Sequence, residues 1–273
     1  MKKFDKILIC TDLDGTLLRN DKTISPENLS AIEYFKSEGG LFTFITGRMP
    51  FFASDICDII KPNAPFGCIN GGGIYDYAAQ KYLWTQSLTP DVLDLVEYVD
   101  KNLPFMGIQV NTFEKIYFCK ENAAMAEFRA ATKQPNITCH YREVNEPIAK
   151  ILFGDQSDHH ILCLKDLLDH HPNADNFDFI RSEFTLYEIL PKGISKGSVL
   201  PKLVQLLNID PNKTIAVGDY NNDIAMLRAA KTGIAVANAL PEVKAAADYI
   251  TVSNEEHAIA AIISDIENGK LQI

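Results

Sequence analysis

Positive charge is scarce in this chain, paired cysteines and long apolar runs are missing, and each shortage closes off a class of function. Lys and Arg number 26 against 36 Asp and Glu, a formal charge of −10, which disfavours nonspecific binding to nucleic acid or to an anionic membrane surface. A small anion remains compatible with that balance, provided it meets a local positive site. No run approaches the roughly 20 apolar residues of a membrane-spanning helix. The start, MKKFDKILICTDLDGT, carries basic residues, yet its apolar run meets Asp12 too soon to form a signal-peptide core. The six cysteines, Cys10, Cys57, Cys68, Cys119, Cys139 and Cys163, include no C-x-x-C pair. Several sit inside apolar stretches, and they read as reduced core thiols of a cytoplasmic protein.

What is present is a globular composition, with 47% hydrophobic and 23% charged residues in a chain of 273. That length exceeds the roughly 100–200 residues of a common domain, so two domains are expected. Apolar strands alternate with helices at both ends of the chain. KILICT at 6–11 reads as a buried strand; Ser25-Pro26 caps and opens a helix that Gly39-Gly40 closes. LFTFIT at 41–46 and FGCI at 66–69 read as further strands, and KTIAVGD, GIAVA and YITV resume the rhythm near the C-terminus, each followed by a helical stretch. Continuous apolar strands separated by helices predict a doubly wound parallel sheet, Rossmann-like, whose ligands bind at the carboxyl ends of the strands. The middle differs: helical and strand patterns are mixed, and FDFIRSEFTLYEIL reads as two strands joined at Arg181-Ser182-Glu183. The expected organisation is therefore an α/β core from 1–82 and 191–273 with an inserted α+β cap domain at 83–190.

Charged and Gly-rich residues gather at the strand ends. If 6–11 is a strand, Asp12 and Asp14 leave it toward the same side, and two anions on one side need a cation. Three further sites stand out: Thr46-Gly47-Arg48, Lys196 in LPKGISKGSVL, and Gly218-Asp219-Tyr220-Asn221-Asn222-Asp223. Each has a bland explanation alone, since Asp-Gly is a common turn pair, lysine on a helix is usually solvated and Asn-Asp often caps a helix. Their joint occurrence in this order is harder to explain by structure alone.

DLDGTLL, ITGR, INGGGIYD, LPKGISKG, VGDYNNDIAML and AVANALPEVKAAADYITVSN together resemble the haloacid dehalogenase-like hydrolases, in particular the Cof-type phosphatases with a large cap, and the resemblance covers nearly the whole chain. It implies a phosphatase acting on a small phosphorylated metabolite, with phosphoryl transfer to an organic acceptor or phosphoanion sensing as alternatives. It implies Asp12 as nucleophile and Asp14 as the acid and base that protonates the leaving oxygen and activates water. Mg²⁺ is the implied cofactor, held by a carboxylate oxygen of Asp12, the backbone carbonyl of Asp14 and the carboxylate of Asp219. Thr46, Gly47 and Lys196 would meet the phosphoryl group, Asn222 is a further candidate for it, and Asp223 would orient Lys196 or a metal-bound water. Arg48 either meets substrate or cap, or lies in a surface pair. Intact Asp12, Asp14, Lys196 and Asp219 speak against a mere sensor.

Neighbouring features have plainer readings. Asn70-Gly71-Gly72 either borders the substrate or simply ends a strand. The pairs His159-His160 and His170-His171 flank an amphipathic helical pattern, which places them too far apart for one tetrahedral metal site. Phe51-Phe52 and the single Trp84 read as packing residues. Nothing in the cap stretch names a metabolite, and the sequence carries no signal of oligomeric state.

Overall fold

A computed structural model describes residues 2–271. The chain forms two compact units, one from Met1–Thr85 and Ser195–Ile273, the other from Gln86–Ile194.

In the first unit, β1 (Leu8–Thr11), α1 (Pro26–Ser37), β2 (Leu41–Phe44), α2 (Ser54–Ile60), β3 (Phe66–Cys68), β4 (Gly73–Asp76) and β5 (Lys81–Thr85) precede the insertion. The second unit contains α3 (Val92–Asn102), β6 (Gly107–Thr112), β7 (Ile116–Lys120), α4 (Ala123–Thr132), β8 (Ile148–Gly154), α5 (Asp158–Asp169), β9 (Phe177–Glu183) and β10 (Leu186–Pro191). The first unit then resumes with α6 (Lys196–Leu207), β11 (Thr214–Gly218), α7 (Ile224–Ala229), β12 (Thr232–Ala235), α8 (Pro241–Ala246), β13 (Tyr249–Ile250) and α9 (Ala258–Glu267).

The parallel sheet runs β13-β12-β11-β1-β2. Every residue of β1 and β11 is buried, as expected where helices cover both faces of a sheet. α1 begins as its sequence dictates: Ser25 Oγ accepts from the Asn28 N–H at 3.2 Å, and Pro26 occupies the first turn, where no N–H is needed. The first strand is shorter than KILICT suggests, because Lys6 adopts φ 57° and cannot join the ladder.

FGCI does not extend the parallel sheet. β3 pairs antiparallel with β4, and β4 with β5, in a separate three-stranded sheet that meets the parallel one through a single bridge, Ile45 to Gly67. The reversal follows from Ile69, Asn70 and Gly71, all at positive φ, which turn the chain back on itself. β5 belongs to this unit, so a boundary at 82/83 would cut through a strand.

The second unit is an antiparallel sheet in the order β7-β6-β8-β10-β9. α3 buries Val92, Leu95, Val96 and Val99, an i, i+3, i+4, i+7 stripe, and α5 buries Ile161, Leu164 and Leu168, against Ile108, Ile151 and Ile189 of the strands. β9 runs through Arg181-Ser182-Glu183, so the turn of that hairpin falls at Phe184-Thr185 instead. The histidine pairs lie at opposite ends of α5, and no metal-binding group among the described residues includes them.

Candidate active site

Because β11, β1 and β2 are neighbours, their carboxyl ends place Asp219, Asp12 and the Thr46-Gly47-Arg48 turn side by side. Lys196 is the first residue of α6, fixed there by Ser195, whose Oγ accepts from the Ser198 N–H. Its ammonium is buried and donates to Asp12 Oδ1 and to Asp223 Oδ1, each at 2.7 Å. Asp223 uses its other oxygen to accept the backbone N–H groups of Asp219 and Tyr220 at 3.0 and 3.1 Å. One carboxylate therefore holds both the lysine and the loop that presents Asp219.

Carboxylate oxygens of Asp12, Asp219 and Asp223 lie within 4.8 Å of one another. Three carboxylates against one ammonium leave two negative charges uncompensated, and the consequences are local. Burial pushes Asp12 well above the ordinary carboxylate range; Lys196 opposes this, while Asp223 and Asp219 add to it. Burial, then Asp223, push Asp219 up to about 6. Burial alone would lower Lys196, but Asp12 and Asp223 outweigh it and hold the lysine charged.

A hard divalent cation fits this donor set. Oxygen ligands suit Mg²⁺, and the two excess charges match its own. Asp223 already has both oxygens engaged by protein donors, so Asp12 and Asp219 are the carboxylates best placed to hold it. Asp219 is itself positioned by Thr16, whose Oγ1 donates to Asp219 Oδ1 at 2.7 Å. Gly15, at φ 80°, lets the chain pass close by: a Cβ there would lie 2.5 Å from Asp219 Oδ2.

The Asp14 carboxylate does not join the Asp12, Asp219 and Asp223 group, because the chain leaves β1 at Thr11 and Gly15 turns it, ending the two-residue alternation of a strand. The Asp14 carboxylate instead meets Arg48, which donates Nε and one terminal nitrogen to its two oxygens, both at 2.8 Å, and Lys22 at 2.9 Å. Burial raises the Asp14 carboxyl, but Arg48 and Lys22 more than reverse that and hold it below the usual range. Arg48 therefore lies in a part-buried ion pair with Asp14. Neither this fork nor Lys22 was legible beforehand, since nothing in the spacing of 14, 22 and 48 marks them as partners.

Thr46 is buried, and its Oγ1 accepts from the Arg48 N–H at 3.2 Å. Asn222 donates Nδ2 to Asn70 Oδ1 at 3.1 Å. Asn70 is fully buried and stands in a run of three positive φ values, 56° at Ile69, 50° at Asn70 and 102° at Gly71. A β-branched residue in that region is a genuine outlier, costing about 1–3 kcal/mol.

The model of the haloacid dehalogenase-like hydrolase family matches residues 9–263. A Bacillus subtilis 5-amino-6-(5-phospho-D-ribitylamino)uracil phosphatase is 29% identical over 96% of this chain and 98% of its own. A second phosphatase of the same organism is 24% identical over 95% of this chain and 99% of its own. Among solved structures, a haloacid dehalogenase-like hydrolase from Bacteroides thetaiotaomicron superposes with a TM-score of 0.81 at 25% identity, over 96% of this chain and all of that one. With its aspartates, lysine and parallel sheet arranged as described, the chain belongs to the haloacid dehalogenase-like hydrolases of the Cof type, and its enzyme class is phosphoric monoester hydrolase.

Proposed function

We propose that the enzyme is an Mg²⁺-dependent phosphatase that hydrolyses a small phosphorylated metabolite through an aspartyl-phosphate on Asp12. The observation that carries this reading is the buried Lys196 ammonium bridging Asp12 and Asp223, with Asp219 in reach. Lys196 fixes the Asp12 carboxylate for in-line attack on phosphorus and supplies positive charge beside the incoming phosphoryl group.

Asp12, Asp219 and the backbone carbonyl of Asp14 would hold Mg²⁺. Bound there, the ion offsets the repulsion between a carboxylate and a phosphate. Thr46, which accepts from Arg48 N–H, keeps its own hydroxyl proton to donate to a phosphoryl oxygen, and Gly47 allows the backbone to approach closely. Asp14 as arranged is a base, because Arg48 and Lys22 stabilise its anion. To act first as an acid, it leaves the guanidinium contact, takes up a proton from solvent and delivers it to the leaving oxygen; as a carboxylate again, it then takes a proton from the water that cleaves the acyl-phosphate.

The 86–194 unit governs access in this reading, as lids do in many enzymes, and restricts the substrate to small molecules. The ribitylaminouracil phosphate handled by the Bacillus subtilis relatives supports that size class.

The test is phosphate release from p-nitrophenyl phosphate and from a panel of sugar phosphates and phosphorylated cofactor precursors, with Mg²⁺ and with EDTA. Release should require metal, and Asp12→Asn should lower it about a thousandfold or more, as loss of a nucleophile does. Release that survives either EDTA or Asp12→Asn would overturn the mechanism.

A further inference from the structure

The left-handed segment Ile69-Asn70-Gly71 is wedged between three parts of the active site. Its backbone is held by the Thr46-Gly47-Arg48 turn: the Ile69 N–H donates to Arg48 O and the Asn70 N–H to Thr46 O, both at 3.0 Å. The Asn70 carboxamide lies flat against Gly47, where an added Cβ would sit 3.1 Å from Asn70 Oδ1 and 3.2 Å from Nδ2. On another side, Asn70 Oδ1 accepts from Asn222 Nδ2. Gly71 abuts the start of α6 so closely that a Cβ would fall 2.1 Å from the Ser195 carbonyl oxygen, next to Lys196.

A strand ending needs none of this. A turn after β3 would form with any residues tolerant of positive φ, whereas here a β-branched Ile adopts it and a buried amide is set between the Thr46-Gly47 turn and Asn222. Strain of this kind persists only where surrounding contacts enforce it, and it gathers at functional sites. Asparagine suits the position twice, since it tolerates left-handed backbone and its carboxamide offers both a donor and an acceptor.

We propose that Asn70 is a positioning residue for phosphoryl binding: its carboxamide locks the Thr46-Gly47 turn to Asn222, so that the groups contacting the phosphoryl oxygens from two different loops keep one geometry. The inference rests on the phosphatase reading above.

Asn70→Gly is the informative substitution, because it keeps the left-handed backbone free of strain while deleting the amide. It should lower kcat/KM about ten- to hundredfold, the scale of one buried hydrogen bond to a site group, and weaken inorganic phosphate binding with Mg²⁺ at least fivefold, measured well below a melting temperature that falls by several degrees. Asn222→Ala, at a residue with no special backbone, should give a similar loss, and the double variant should lose little more than either single one. Activity and phosphate affinity within twofold of wild type in Asn70→Gly would overturn the proposal, leaving the segment a backbone turn only. So would a silent Asn222→Ala, or losses that simply multiply in the double variant. Phosphate binding, read by calorimetry, needs no turnover; an inactive wild type would therefore defeat the phosphatase reading while the Asn70 comparison still stands or falls by itself.

Discussion

Lys196 is the residue on which the site's electrostatics turn. It is a fully buried ammonium that serves two buried carboxylates, and removing one member of such a group leaves uncompensated buried charge. Lys196→Met keeps most of the side chain's volume and deletes only the charge, so it separates electrostatics from packing. We expect a loss of about 3–5 kcal/mol in stability, read by denaturant unfolding, together with loss of phosphate release. Stability within about 1 kcal/mol of wild type would mean that the aspartates relieve the missing charge by taking up protons. Lys196, Asp12 and Asp219 stood out in sequence because their motifs lie at or near strand ends and together resemble those of the haloacid dehalogenase-like hydrolases, and the structure brings the three side chains together. The partners of Asp14 were not: Arg48 and Lys22 reach it through the turn at Gly15, and no local periodicity encodes where a turn points a carboxylate. Thr16, which positions Asp219, was likewise missed, although it stands within the D-x-D-G-T stretch itself.

The same division between local and non-local information holds for the elements. Helices with a cap and a stripe, such as α1 and α3, and strands buried on both faces, such as β1 and β11, can be read from a dozen residues. β3 cannot, because three apolar residues fit a parallel or an antiparallel neighbour equally well, and the choice is made by the left-handed turn that follows. β5, with its alternating exposed positions, carries little hydrophobic signal at all. α4 shows how one residue joins an element to its unit. Asn122 caps it by accepting from the Met125 N–H at 3.0 Å, and its Nδ2 also donates to the carbonyls of Phe105 and Gly154 at 3.0 and 2.8 Å. A cap alone contributes about 1 kcal/mol; with two further contacts, Asn122→Ala should cost about 1–3 kcal/mol. Hydrogen exchange should show this as amides of α4 and β6 exchanging about tenfold faster or more, while those of β1 and β11 in the other unit keep their rates. Unchanged exchange in α4 would mean that the helix is held by packing of Met125 against Gly107 and Gly154, with the cap energetically idle.

At the scale of the molecule, a chain of net charge −10 gathers three of its carboxylates around one lysine, and that choice couples stability to metal and to pH. The folded value for Asp219, about 6, lies above its ordinary 3.8. Without metal, the folded protein therefore binds more protons than the unfolded chain between these values, so this group's contribution is most favourable at low pH and is lost as pH rises through about 6. On the proposed reading Mg²⁺ would be held by the deprotonated carboxylate, so its stabilising effect should grow over the same interval. At a concentration near 100 times its dissociation constant it would contribute about 2.7 kcal/mol, a rise in melting temperature on the order of 5–10 °C for a protein of this size. Comparing Mg²⁺ with EDTA at each pH cancels every group that does not touch the metal. The difference should be large at pH 7.5 and small at pH 5.5. Asp219→Asn should abolish it, and should raise the metal-free melting temperature at pH 7.5 by removing a part-buried charge that Asp223 repels and that no cation pairs directly. An Mg²⁺ effect equal at both pH values, or one that survives Asp219→Asn, would move the metal away from Asp219 and leave the excess negative charge of the site without its proposed purpose.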